Sequence, residues 1–273
     1  MTAPVALLAV RIGNDHSVLG LLDRDGPTAD GRRVNGRGVL ADWRVASDER
    51  RTPDEWRILL RALLRAGPDV EVDGVALCSA VPAIQRTWRE MVLKEFPDVP
   101  HVFVEPGTRT GIPVRVDNPR EVGADRIVNA IAAADIAGGP AVVVDFGTAT
   151  TLDVLNAKGE YVGGAIAPGI ETSLDALRQR GAQLRKVELR APRSVVAKNT
   201  VEALQSGLLY GAASQVDGLV ARIARELGIE VTDLSVLATG PLAPLVVAEC
   251  ETVTAHDPWL TLHGLRRVFE RNV

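Results

Sequence analysis

Apolar and polar positions along the chain predict strands and helices in regular alternation. Short apolar runs bounded by Gly, Pro or Asp indicate strands, and apolar residues three and four apart indicate helices. The clearest helix is 52–66, where Thr52 can act as N-cap and Pro53 suits the first helical position. The predicted strands are 7–10, 18–22, 74–78, 101–104, 141–144 and 234–238, and the predicted helices are 52–66, 82–96, 118–137 and most of 194–226. This alternation favours an α/β architecture.

One pattern occurs twice, once in each half of the chain. Residues 8–18 and 142–152 each contain an apolar strand, a charged residue, a glycine turn and a second strand, which runs into a further turn. Segments 75–82 and 236–242 form a second matching pair in the same order. Chance recurrence is the alternative, but the shared order predicts a duplicated unit. We therefore predict a first lobe of residues 1–137, a second lobe of residues 138–273, and a ligand in the cleft between them.

The composition narrows the class of protein. Of the 273 residues, 46% are hydrophobic and 24% are charged, as in a globular protein with a substantial core. The net charge of −4 gives no general attraction for nucleic acid or an anionic membrane. The apolar run 4–10 is too short to span a bilayer and lacks the features of a signal peptide. Cys78 and Cys250 cannot build a disulfide framework, so we expect a reducing, cytoplasmic compartment.

The segment 145–151, Asp-Phe-Gly-Thr-Ala-Thr-Thr, directly follows a strand that is apolar enough to be buried on both faces. Gly147 allows a tight turn and the close approach of a ligand. The hydroxyls of Thr148 and Thr150, with the N–H groups of the turn, suit phosphate oxygens. Asp145 suits a cation or a metal-bound water. The alternative is a threonine-rich hairpin with a capping aspartate, but the strand and the repeat favour a ligand site.

A second candidate site is Gly123-Ala124-Asp125-Arg126, near the start of a predicted helix. Adjacent side chains on a helix point in different directions. Asp125 can therefore face a substrate hydroxyl as general base while Arg126 binds a carboxylate with its planar guanidinium group. The alternative is a surface ion pair, or a carboxylate favoured by the helix dipole. From these residues alone the alternative is the stronger interpretation.

Four strings together resemble one family, the type III pantothenate kinases, also called the Bvg accessory factor family. They are NPREVGADR at 118–126, VVVDFGTATTLDV at 142–154, GGAIAPGI at 163–170 and VAKNTVEALQSG at 196–207. The resemblance implies an actin-like ATPase fold, a ribonuclease-H-like duplication. It also implies phosphorylation of the pantothenate hydroxyl by ATP, the first step of coenzyme A biosynthesis. Mg²⁺, a monovalent cation (K⁺ or NH4⁺) and a homodimer belong to the same expectation.

The resemblance also implies roles for individual residues. Asp125 is similar to the family's general base, and Asp145 to its ligand for the monovalent cation. The residues expected to contact pantothenate are Gly123, Ala124, Arg126 and Thr200. The residues expected to contact ATP or its phosphates are Arg11, Gly13, Asn14, Asp15, Gly147, Thr148, Thr150 and Gly240.

The first phosphate loop departs from the family pattern Asp-x-Gly-Asn-Thr. Here it reads Arg11-Ile12-Gly13-Asn14-Asp15, and the internal repeat also sets Arg11 opposite Asp145. A positive charge there opposes a divalent cation, so we hypothesise that Arg11 makes turnover of Mg-ATP with pantothenate slow or absent. Pro241, in place of a glycine of the family, also removes an N–H donor beside the adenosine.

Three interpretations stay open at this point. The first is a pantothenate kinase in which Arg11 contacts phosphate and Asp15 supplies the lost carboxylate. The second is a kinase that acts on another small hydroxy acid. The third is a non-catalytic relative that binds a nucleotide and regulates. The intact Gly123–Arg126 string favours the two enzyme interpretations, and Arg11 favours the third.

Overall fold

A computed structural model describes residues 4–23, 33–34, 37–180 and 187–273. The strands in chain order are β1 (Val5–Ile12), β2 (His16–Asp23), β3 (Arg33–Val34), β4 (Arg37–Ala46), β5 (Glu71–Ser79), β6 (His101–Phe103), β7 (Ala141–Phe146), β8 (Ala149–Leu155), β9 (Tyr161–Pro168), β10 (Ser235–Thr239) and β11 (Ala255–His256). The helices are α1 (Pro53–Ala66), α2 (Pro82–Glu95), α3 (Ala124–Ala137), α4 (Ile170–Arg180), α5 (Thr200–Leu227), α6 (Ala243–Val246) and α7 (Leu260–Asn272). Strands and helices alternate along the chain, as the sequence pattern predicts.

The chain forms two compact units. The first consists of Met1–Pro113, Asp117–Ala132 and Trp259–Val273, and the second of Val114–Val116 and Ala133–Pro258. The sequence-based division lies between residues 137 and 138, close to the passage at Ala133. The units differ from that division at the C-terminus, because the last segment belongs to the first unit.

The first unit contains a mixed sheet in the order β3-β4-β2-β1-β5-β6, in which β1 is antiparallel to β2 and parallel to β5. One face packs against α1 and α2 through Trp56 and Trp88, whose ring centroids are 5.2 Å apart. Residues on a strand alternate between its faces. Gly20 and Gly74 therefore point away from that core, and there Leu262 and Phe269 of α7 pack against them.

The second unit contains a sheet in the order β11-β10-β7-β8-β9. Strand β7 is antiparallel to β8 and parallel to β10, which is the arrangement of β1 with β2 and β5. The core lies between this sheet and α5, which buries Leu209, Val216 and Val220. Both sheets are thus built around the same three-strand arrangement, and the predicted duplication is confirmed.

Most predicted elements are present, and the N-terminus of α1 is as predicted. The Thr52 side chain accepts the N–H of Glu55 while Glu55 accepts the N–H of Thr52, which forms a capping box. The turn predicted after β2, at residues 23–26, lies outside the described residues except for Asp23.

One predicted helix start is wrong. The segment Pro119–Glu121 forms a separate 3-10 turn, and α3 begins only after Gly123. The prediction that 194–226 is mostly helical is confirmed, since α5 covers Thr200–Leu227. The Asn199 side chain caps α5 by accepting the N–H of Glu202 at 3.0 Å.

Candidate functional site

In the first unit, Asp125 lies in the first turn of α3, where helix N–H groups favour a carboxylate. Its Oδ1 accepts the backbone N–H of Arg126 at 3.0 Å. A Cβ on residue 123 would lie 2.8 Å from the same oxygen, so Gly123 leaves room for the carboxylate to turn toward the helix start. Gly123, Ala124, Asp125 and Arg126 are all partly exposed, and the Asp125 carboxylate can meet a ligand.

Arg11 lies at the end of β1 and forms an ion pair with Asp125. The distance from its Nη2 to Asp125 Oδ2 is 3.6 Å, and the two side chains are 16% and 17% exposed. The sequence did not predict this contact. The residue that departs from the family pattern therefore acts directly on the proposed general base.

The turn that follows β1 is tight. The N–H of Gly13 donates to the carbonyl of His16 at 3.1 Å, and Asn14 and Asp15 are exposed at the tip. Ser47, directly after β4, contacts this turn through both its N–H and its hydroxyl. Sequence reasoning missed Ser47, since a serine at the end of a strand carries no signal of such a contact.

In the second unit, Asp145 is the next-to-last residue of β7 and is 5% exposed. Gly240, with φ of 95°, packs against it, and a Cβ at residue 240 would overlap Asp145 Oδ1. A glycine is therefore required by both the backbone conformation and the space. The exposed Pro241 follows, and the N–H of Leu242 donates to the Phe146 carbonyl at 3.3 Å.

The second turn is held by the start of α4. The Thr148 carbonyl accepts the N–H of Gly169 at 3.0 Å and the hydroxyl of Thr172 at 2.7 Å. The Gly147 N–H donates to the Ala149 carbonyl at 3.1 Å, which parallels the bond within the first turn. The end of the string GGAIAPGI, at residues 169 and 170, thus contacts the second turn through the N–H of Gly169.

The remaining predicted residues of this unit differ in exposure. Thr150 is only 2% exposed, within β8, and Thr148 is exposed at the turn. Thr200 is exposed as the first residue of α5. Asp145, Gly147 and Gly240 come together, since Asp145 Oδ1 also lies 3.6 Å from where a Cβ of residue 147 would be.

Among the described residues, no three His, Cys, Asp or Glu side chains form a group that could hold a metal ion. Burial raises the pKa of Cys250 to about 12, and Asp217 and Glu249 add to the shift, so this thiol is protonated and a poor nucleophile near neutral pH. In the described part of the chain, no helix has both the length and the apolar character to cross a membrane.

Solved structures with little sequence similarity share this fold. A Baf family transcriptional activator from Campylobacter jejuni matches with a TM-score of 0.56 and 17% identity, covering 97% of this chain and 98% of that one. An inorganic polyphosphate/ATP-glucomannokinase from Arthrobacter matches with a TM-score of 0.50 and 13% identity, covering 98% and 100%. Together with the duplicated sheet, these likenesses define the class as the actin-like, two-lobed α/β fold.

Sequence comparison gives the family. The family model for type III pantothenate kinase matches residues 7–222. A type III pantothenate kinase from Nocardioides is 61% identical over 267 residues, which is 97% of this chain and 99% of the relative. Another from Thermobifida fusca is 56% identical over 268 residues, with 97% and 99% covered. The chain belongs to the type III pantothenate kinase family.

Proposed function

We propose that this chain transfers the terminal phosphoryl group of ATP to the hydroxyl of pantothenate, the first step of coenzyme A biosynthesis. The observation that carries the proposal is the placement of Asp125 in a chain of this family. Its carboxylate stands in the first turn of α3, is one-sixth exposed, and is oriented by the N–H of Arg126. Such a group can meet a substrate hydroxyl in a defined direction.

The chemistry follows from these positions. Asp125 takes the proton of the acceptor hydroxyl as the oxygen–phosphorus bond forms and the bond to the leaving ADP breaks. Phosphoryl transfer depends mainly on positioning and charge neutralisation, so one oriented carboxylate suffices as base. Gly123 and Ala124 leave space beside it, and Arg126 and Thr200 are the proposed contacts for the carboxylate and polar groups of pantothenate.

The two glycine turns are the proposed phosphate contacts, since turns present N–H groups to anions. Gly13, Asn14 and Asp15 belong to one turn and Gly147 and Thr148 to the other, while Thr150 follows within β8 and Gly240 lies beside Asp145. Gly240 admits the Asp145 carboxylate, which is the proposed ligand for K⁺ or NH4⁺ through the family resemblance. The first turn does not fit a directly bound Mg²⁺, because the Arg11 guanidinium lies beside Asp125. We therefore expect Mg²⁺ to arrive bound to ATP.

The contact between Arg11 and Asp125 also favours a second candidate, a non-catalytic relative that binds nucleotide and regulates. Arg11 occupies Oδ2 of the proposed base, and the positive charge of Arg11 opposes a divalent cation. The intact string from Gly123 to Arg126 favours the kinase, because a regulator needs neither a base nor a carboxylate contact. A homodimer in the cytoplasm is part of the proposal through the family resemblance.

ADP release separates the candidates. With ATP, Mg²⁺, K⁺ and pantothenate, we expect pantothenate-dependent ADP release slower than the ~1–100 s⁻¹ typical of kinases. ATP binding by calorimetry without ADP release would select the regulatory candidate. ADP release with another small hydroxy acid, and none with pantothenate, would overturn the substrate assignment. Release at an ordinary kinase rate would refute the hypothesis that Arg11 slows turnover.

A further inference from the structure

Ser47, directly after β4, contacts the turn Gly13–His16 through both its backbone and its side chain. The Ser47 N–H donates to the carbonyl of Asp15 at 2.9 Å, and the Ser47 hydroxyl donates to the carbonyl of Gly13 at 2.7 Å. The hydroxyl of Ser17, which is fully buried, lies 2.9 Å from the Ser47 hydroxyl. The Ser47 hydroxyl thus joins the first residue of the turn to the buried start of β2, and the Ser47 N–H adds a backbone bond to Asp15.

The strand register explains why Ser47 reaches the turn. Strands β2 and β4 are antiparallel, with His16 opposite Ala46 and Ser17 opposite Val45. Ser47, the first residue after β4, therefore stands opposite Asp15. No other strand flanks the described turn on that side, since β4 is the neighbour of β2 away from β1.

The hydroxyl contact determines how the turn presents its backbone. In a planar trans peptide the N–H points away from the C=O of the same unit. When Ser47 holds the Gly13 carbonyl, the N–H of Asn14 is directed to the opposite side. A fixed N–H at a turn is the element that binds anions, and loss of the hydroxyl would leave that peptide free to rotate.

We propose that Ser47 is a positioning residue that sets the first phosphate-binding turn for ATP. It acts through Gly13 and touches no substrate. The inference rests on the proposed function, because it assumes that this turn meets the phosphates. It concerns ATP and not the acceptor, so its effect is confined to one substrate.

Calorimetric binding of ATP and of pantothenate to four proteins tests the inference. Ser47→Ala removes the hydroxyl and keeps the backbone bond to Asp15, whereas Ser47→Thr retains a hydroxyl. Ser194→Ala is the matched control, because its hydroxyl also donates to a backbone carbonyl, that of Val196 at 2.9 Å. We expect Ser47→Ala to weaken ATP binding about five- to tenfold, as for a lost hydrogen bond, with pantothenate binding unchanged. Ser47→Thr and Ser194→Ala are expected to bind both ligands as the wild type does.

Three results would overturn the inference. They are ATP binding by Ser47→Ala within about twofold of the wild type, equal losses for ATP and pantothenate, or a loss in Ser47→Thr as large as in Ser47→Ala. Equal losses would indicate general damage to the fold. Failure of the wild type itself to bind ATP is a different outcome, because it contradicts the proposed function and not Ser47 alone.

Discussion

At the scale of single residues, the unusual feature of this chain is the ion pair between Arg11 and Asp125. A guanidinium and a carboxylate ~4 Å apart interact by roughly 4 kcal/mol at an effective dielectric constant near 20. The pair is 16% and 17% exposed, so solvent screens it only in part. In the proposed reaction the acceptor hydroxyl competes with Arg11 for Asp125, and the divalent cation approaches a positive charge. Both effects act against turnover.

The double substitution Arg11→Asp with Asp15→Thr tests this charge argument. It removes the guanidinium from Asp125, supplies a carboxylate for the divalent cation, and returns a hydroxyl to the turn. We expect turnover with pantothenate to rise about tenfold or more, equal to ~1.4 kcal/mol of activation free energy. The measurement is steady-state ADP release at saturating substrates.

A matched control makes the same two changes elsewhere. Arg50 is exposed and pairs with Asp48, and Asp98 is exposed after α2. Arg50→Asp with Asp98→Thr is expected to leave turnover unchanged. A folded Arg11→Asp, Asp15→Thr protein with no gain over the wild type would count against the charge argument.

The sequence indicated which residues are unusual, but it did not indicate which residues contact one another. The repeat revealed Arg11 as a departure, because Asp145 occupies the same place in the second copy. Its contact with Asp125 could not be predicted, since it depends on how β1 and α3 meet in space. Ser47 was missed for the same reason, because a hydroxyl-to-carbonyl bond leaves no trace in a hydrophobic pattern.

At the scale of elements, α7 packs more closely against α3 and β5 than the pattern of apolar residues in the sequence indicates. A Cβ on Gly264 would overlap the backbone carbonyl of Val128 in α3, and Phe269 lies directly against Gly74 of β5. The Thr261 hydroxyl lies 2.7 Å from Asn129 Oδ1, which adds a polar contact between the same two helices. Helices α3 and α7 therefore meet at backbone distance, and α3 carries the proposed base.

Two glycine-to-alanine substitutions test this packing. Gly264→Ala is expected to destabilise the protein by about 1–3 kcal/mol or more, because the backbone carbonyl of Val128 cannot yield as a side chain can. Gly207→Ala in α5 is the matched control, since nothing lies within 4 Å of its added Cβ. We expect it to stabilise by about 0.5–1 kcal/mol through helix propensity. The measurement is denaturant unfolding, and equal effects of the two would contradict the described packing.

The start of α1, which local capping sets, was predicted, and the start of α3, which follows Gly123, was not. Thr52 and Pro53 mark the start of α1 in the sequence and in the structure alike. The start of α3 was placed too early, because the polar run before Gly123 contains a separate 3-10 turn. That turn matters for the site, since it places Asp125 in a first helical turn and not in mid-helix.

At the scale of the whole molecule, the duplication could be predicted from the sequence, because each copy repeats the same order of strand, glycine turn and strand. The unit to which the final helix belongs could not be predicted, because the order of elements does not indicate which sheet that helix covers. Trp259–Val273 belongs to the first unit, where α7 packs on β1 and β5. The first unit is therefore completed only by the end of the chain.

Asp125 is the proposed base for the transfer of phosphate to pantothenate. The most direct measurement is formation of phosphorylated pantothenate from ATP by the wild type, by Asp125→Asn and by the exposed control Asp98→Asn. We predict product from the wild type and Asp98→Asn, and a rate lower by about 10²–10⁴ for Asp125→Asn with ATP binding retained. Product formed by Asp125→Asn at the wild-type rate would contradict the account.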